Sequence, residues 1–153
     1  PEVLCTLGEA GCSVERAYEA LKTHAVPGGP RRTTPIEDGG RHPVSAGGIP
    51  GGHVVTYVEE GTHSIINVTE PDHVLRDGLV QRRIVVEGDK VVLRTFGIGN
   101  NSSNTRAWLN EKGASLPFAE STDRIKAAMD PEGQRRLREG WYILAPGPSR
   151  LTP

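Results

Sequence analysis

The sequence predicts an α+β domain: an antiparallel sheet of about four strands made from two hairpins, with an N-terminal helix and C-terminal helices packed on it. Three observations predict it. Residues 13–24, "SVERAYEALKTH", carry an apolar stripe at helical spacing. Two β-rich segments, "HVVTYVEEGTHSIINVT" and "LVQRRIVVEGDKVVLRTFG", each fold back around a glycine turn. After residue 100, "STDRIKAAM" and "PEGQRRLREGW" return to helical pattern.

In the first helix Ser13 is placed to cap, and Val14, Ala17, Tyr18 and Leu21 form the buried stripe. "VPGGPRRTTP" ends it, because proline and paired glycines cannot continue a helix. Residues 26 to 52 are expected to be irregular, with "SAGGIPGG" a mobile approach to the first strand. The first hairpin turns at Glu60-Gly61 and the second at Gly88-Asp89. Centring the second turn there pairs Val86 with Val91, Ile84 with Leu93, Arg82 with Thr95 and Arg83 with Arg94. Val80, Arg82, Ile84, Val86, Val91, Leu93 and Thr95 then share one face, apolar near the turn and polar at its open end. Residues 105–112 form a short helix in this scheme, and Ser121 or Thr122 caps the next one. Pro131 opens a further helix, and the tail holds one short apolar run suited to an edge strand. The chain divides as one domain, 1–153: a helix with a loop-rich lead-in (1–52), the two-hairpin sheet (53–99) and a helical part (100–153).

Composition excludes several classes. At 153 residues the chain can bury a core without metal or disulfide help. Its formal net charge of −1 offers no basic field for nucleic acid, although "RRTTP", "QRRIVV" and "GQRRLREG" are local basic runs. Aromatic residues make up 5% of the chain, which argues against a stacking platform for single-stranded RNA. Cys5 and Cys12 lack the second pair of a zinc site and can be either a small disulfide loop or two thiols. No apolar run reaches membrane-spanning length and no signal peptide opens the chain; its start at "PEVLC" reads as a domain boundary within a longer protein.

Five histidines are available for chemistry. His24 ends a helix, where a cation suits the dipole; His42 lies in the loop-rich stretch, His53 opens a strand, and His63 follows a turn. His73 stands after Pro71-Asp72, in the connection that leads to Arg82, where a sheet-held loop suits a general acid or base. There is no phosphate loop, no GxGxxG fingerprint and no nucleophile elbow.

The stretch "IINVTEPDHVLRDGLVQRRIV" followed by "LRTFGIGNN" resembles the C-terminal toxin domains of bacterial polymorphic toxin systems, of the Rhs and contact-dependent-inhibition type. Those domains are similar in carrying Asn-x-Thr-x-Pro-x-His, then Gly-x-Val-x-Arg, then Thr-x-Gly-x-Gly. Here the elements are Asn67, Thr69, Pro71 and His73; Gly78, Val80 and Arg82; and Thr95, Gly97 and Gly99. The second departs slightly, because its glycine follows Asp77. The resemblance spans roughly residues 50 to 101 and implies an antibacterial effector, secreted or delivered from the cell surface, that acts in the target-cell cytoplasm. It also implies a cognate immunity protein. Such toxins include nucleases and NAD-consuming enzymes, so the activity is not fixed by it.

Residue chemistry narrows the choice. A His-Arg-Thr set without a carboxylate cluster or metal-ligand spacing suits metal-independent RNA cleavage, with no cofactor. His73 takes the proton of the 2′-OH, Arg82 clamps the phosphoryl oxygens and Thr95 adds a hydrogen bond. Asn67, Thr69, Arg83 and Asn100 are the accompanying substrate contacts, with RNA, tRNA included, as substrate. Small toxin ribonucleases related to barnase, colicins and RelE are similar in fold plan, and a monomer is expected. Two alternatives stay open. One is an NAD glycohydrolase or ADP-ribosyltransferase using Arg82 on the pyrophosphate and Glu59 or Glu60 at the ribosyl cation; the other is a binding module without catalysis.

Overall fold

The computed structural model describes residues 1–26, 34–46, 49–72, 78–98, 115–132, 135, 142–143 and 151–152. Strand β1 (Glu2–Thr6) and helix α1 (Val14–Thr23) lead into β2 (Gly40–Ala46), β3 (Ile49–Glu59), β4 (Ser64–Thr69), β5 (Leu79–Glu87) and β6 (Lys90–Ile98). Helix α2 (Ser115–Met129) and a small ribbon, β7 (Tyr142–Ile143) with β8 (Leu151–Thr152), follow.

The expected sheet of about four strands is corrected to one curled, half-barrel sheet of six antiparallel strands, in the order β1-β6-β5-β4-β3-β2, with two α-helices among the described residues. The two strands missed are the edges. β2 contains Pro43 and lies in the stretch expected to be irregular; an edge strand tolerates proline because one row of its backbone groups has no ladder partner. β1 is too short to show alternation, and it is fixed by pairing with β6 and by the Cys5–Cys12 disulfide, whose Cα atoms are 5.8 Å apart. β3 likewise begins at Ile49 rather than His53, continuing through Pro50 and two glycines.

Both hairpins form. In β5–β6 the register is the expected one: Val86 faces Val91, Ile84 faces Leu93, Arg82 faces Thr95 and Arg83 faces Arg94. Gly88 at φ +64° opens its two-residue turn, as a type II′ turn requires. The first hairpin closes through a 3-10 turn over Glu60–Thr62, with His63 in left-handed conformation at φ 50°.

One face of the sheet carries both helices. Ala17, Tyr18, Leu21 and Ala25 from α1 and its exit, and Ile125 and Met129 from α2, meet Ile65, Ile84, Val91 and Leu93 in one core. Ser13 caps α1, its Oγ accepting from the Arg16 N–H at 3.1 Å. Gly11 sits at φ +81° against α2, where a Cβ would lie 2.5 Å from the Met129 carbonyl, so only glycine fits. Ser121 and Thr122 do not cap α2, which starts six residues earlier at Ser115 and takes Pro117 in its first turn. The expected helix at 105–112 lies outside the described residues, as does most of the one from Pro131; Tyr142–Ile143 confirms a strand in the tail.

Among the described residues no helix lies on the opposite face of the sheet. Pairing places Tyr57, Ile66, Gln81 and Phe96 in one row there, and Val55, Val68, Leu79 and Ile98 in the next.

Candidate functional site

Arg82 and Thr95 are directly opposed, as the register requires, but they differ in access. Arg82 is fully buried under α2, and Thr95 is exposed. The guanidinium donates from Nη1 to Ser121 Oγ (2.6 Å), from Nη2 to Thr122 Oγ1 (3.0 Å) and from Nε to Thr95 Oγ1 (3.4 Å). Burial lowers its pKa to about 10, opposed by the charge of Glu2, so it stays a cation at neutral pH. So enclosed, it cannot meet a phosphate or pyrophosphate in this conformation; it fastens α2 to the sheet.

The other residues of the motif also hold the frame. Asn67 is buried, accepting from Thr56 Oγ1 (2.5 Å) and donating to the Ala25 carbonyl (2.9 Å). Thr69 Oγ1 donates to the Gly78 carbonyl and accepts from the Gly78 N–H, at 3.0 and 2.9 Å. That clasp joins the two ends of the connection containing Glu70 and Asp72. Arg83 is exposed on the helix-free face. His73 and Asn100 lie outside the described residues.

A different polar group assembles on the helix-free face, where β2, β3 and the end of β4 meet. His53 and Glu70 are neighbours, the Glu70 N–H donating to the His53 carbonyl at 3.0 Å. Asp72 folds back so that Oδ1 accepts from the His53 N–H (3.1 Å) and Oδ2 lies 2.6 Å from His53 Nδ1. This bond directs the remaining ring nitrogen, Nε2, away from Asp72. The bond to His53 is also the main reason that the Asp72 pKa falls below its usual 3.8, so Asp72 is an anion at neutral pH. Arg41, from the edge strand, sends Nε to both oxygens of Glu70, at 2.8 and 2.7 Å.

The four side chains are partly exposed, from 23% for Glu70 to 56% for Arg41. A histidine oriented by a carboxylate, beside a second carboxylate neutralised by a guanidinium, can move protons and hold an anion. The ligand atoms of His53, Glu70 and Asp72 all lie within 4.8 Å of one another, which is close enough for one divalent cation. To bind it, Glu70 would have to exchange Arg41 for the metal.

Sequence reasoning missed this group. His53 reads as a strand opener and Arg41 as loop, and their separation from Glu70 and Asp72 carries no motif. The one signal was the alternation of β3, which puts His53 on the face opposite Val54. Comparison with known protein-family models, curated proteins and solved structures finds no match.

Proposed function

We propose that this chain is a metal-independent ribonuclease that cleaves RNA by attack of a 2′-OH on the adjacent phosphate, with its centre at His53, Asp72, Glu70 and Arg41. The observation that carries the reading is the pairing of His53 Nδ1 with Asp72 Oδ2 at 2.6 Å, next to the Arg41–Glu70 pair. Phosphodiester transesterification needs a base, an acid and a cation, and these side chains supply each type.

In this mechanism an incoming phosphate takes the Arg41 guanidinium from Glu70. Glu70 then accepts the proton of the 2′-OH, whose oxygen bonds to phosphorus. The bond from phosphorus to the 5′-oxygen breaks, and protonated His53, held by Asp72, donates its Nε2 proton to that oxygen. The products are a 2′,3′-cyclic phosphate and a 5′-OH end. Similarity to the polymorphic toxin motif supports a toxin delivered to competing bacteria and matched by an immunity protein. The Cys5–Cys12 disulfide suits passage through an oxidising compartment.

Incubation of the purified protein with total RNA and, separately, with NAD tests the reading. RNA fragments ending in cyclic phosphate are expected, and His53→Ala should slow their formation by about 10²- to 10⁴-fold. Consumption of NAD with intact RNA overturns it. His73→Ala, run in parallel, decides whether the histidine next in sequence to Asp72 takes part.

A further inference from the structure

The low aromatic content argues against a stacking platform, but the fold brings two of the few aromatic rings to the helix-free face: Tyr57 and Phe96 are 45% and 59% exposed there, and Ile98 beside them is 54% exposed. Large aromatic side chains in the middle of a sheet face leave apolar surface in water, which calls for a partner. Their row runs Tyr57, Ile66, Gln81, Phe96, across four adjacent strands. Three strand spacings separate the rings' strands by about 14 Å, and Tyr57 lies about 13 Å along β3 from His53. A guanidinium stands on either side of the row: Arg41 next to Val55 in the row before, and exposed Arg83 in the row after.

We infer that this face binds single-stranded RNA, with bases stacked on Tyr57 and Phe96, Gln81 between them offering hydrogen bonds to base edges, and Arg41 and Arg83 on the backbone phosphates. The inference rests on the ribonuclease reading of the His53 group and names its substrate class as unpaired RNA. The occupant follows from chemistry. Flat apolar rings alternating with guanidinium groups complement a strand whose flat bases alternate with phosphates, and sheet faces of this kind stack about two or three bases. A duplex hides its base faces and offers nothing to the two rings.

The test is fluorescence anisotropy with a labelled 2′-O-methyl oligoribonucleotide, which lacks the attacking hydroxyl and so reports binding without cleavage. Tyr57→Thr and Phe96→Thr keep strand propensity and should each weaken binding on the order of 10-fold. Tyr57→Phe should bind as the wild type does. Leu7→Thr, an exposed apolar change beyond the end of β1 and outside the row, should also bind normally. The same sequence as a duplex should bind more weakly. Unchanged affinity in the Tyr57→Thr, Phe96→Thr double variant, or duplex binding equal to single-strand binding, overturns the inference even where RNA is cleaved. Binding that depends on both rings in a protein that leaves RNA intact upholds the inference and sinks the ribonuclease.

Discussion

Arg82 Nη1 and Ser121 Oγ meet at 2.6 Å in the interior, joining the centre of β5 to the middle of α2. Ser121 passes the connection on, its hydroxyl donating to the His24 carbonyl at 2.8 Å. A buried guanidinium stripped of a partner costs more than a neutral group, because its desolvation is no longer offset. Ser121→Ala should therefore destabilise the fold by about 2–3 kcal/mol. Arg82→Met, which removes the charge and keeps the volume, should cost less. Urea unfolding of both variants measures this, and the reverse order would contradict a structural role for the pair.

This pair shows how far the sequence could be read. Alternation on either side of Gly88 was enough to set Arg82 opposite Thr95, because a one-residue slip would turn every apolar side chain of β5 to the wrong face. The same pattern could not say whether the end of that face was open. Its cover comes from α2, whose Ser121 and Thr122 look like caps in sequence, since short hydroxyl side chains favour helix starts. Here they are mid-helix acceptors for a cation some 40 positions earlier in the chain. Arg41 and His53 were hidden for a related reason. The pairing of proline-bearing β2 with β3 brings Arg41 to Glu70, and the pairing of β3 with β4, continued past Val54 and Thr69, sets His53 beside Glu70 and Asp72.

The Cys5–Cys12 bond closes a short loop between β1 and α1. Loop-closure entropy for a ring of this size is worth about 2–3 kcal/mol. The Cys5→Ala, Cys12→Ala double variant should lose that amount, and hydrogen exchange should rise first in β1, which is an edge strand. Uniform protection across β1 and β6 in the variant would show that strand pairing alone holds the edge.

His24 ends α1, where helix dipoles favour a cation, yet its pKa is lowered to about 4 by burial first and by Arg124 second. It is neutral at pH 7. Folded His24 binds fewer protons than the unfolded chain between about pH 6.5 and 4, so its contribution is fully present above 6.5 and is lost as pH falls through that window. Asp72, with its pKa lowered from 3.8, acts at still lower pH and does not share the window. Stability should decline toward pH 5 with a limiting slope of about 1.4 kcal/mol per pH unit. His24→Asn should flatten the decline. An equal slope in the variant would place the titration elsewhere.

The arrangement around His53 also sets how the activity should respond to metals. Glu70 already has a counter-charge in Arg41, with both carboxylate oxygens engaged, and His53 Nδ1 is committed to Asp72. Proton transfer by these groups needs no Lewis acid, so EDTA should leave RNA cleavage unchanged. Added Zn²⁺ should slow it, because the three ligand atoms within 4.8 Å can close on a cation and so remove the histidine and the carboxylate from proton transfer. Arg41→Gln should sharpen the Zn²⁺ inhibition by releasing Glu70 as a ligand, while also slowing the uninhibited reaction through loss of the phosphate clamp. Cleavage that stops in EDTA and returns with one divalent ion would reverse the assignment: His53, Glu70 and Asp72 would then be ligands, and the nucleophile would be activated by the metal.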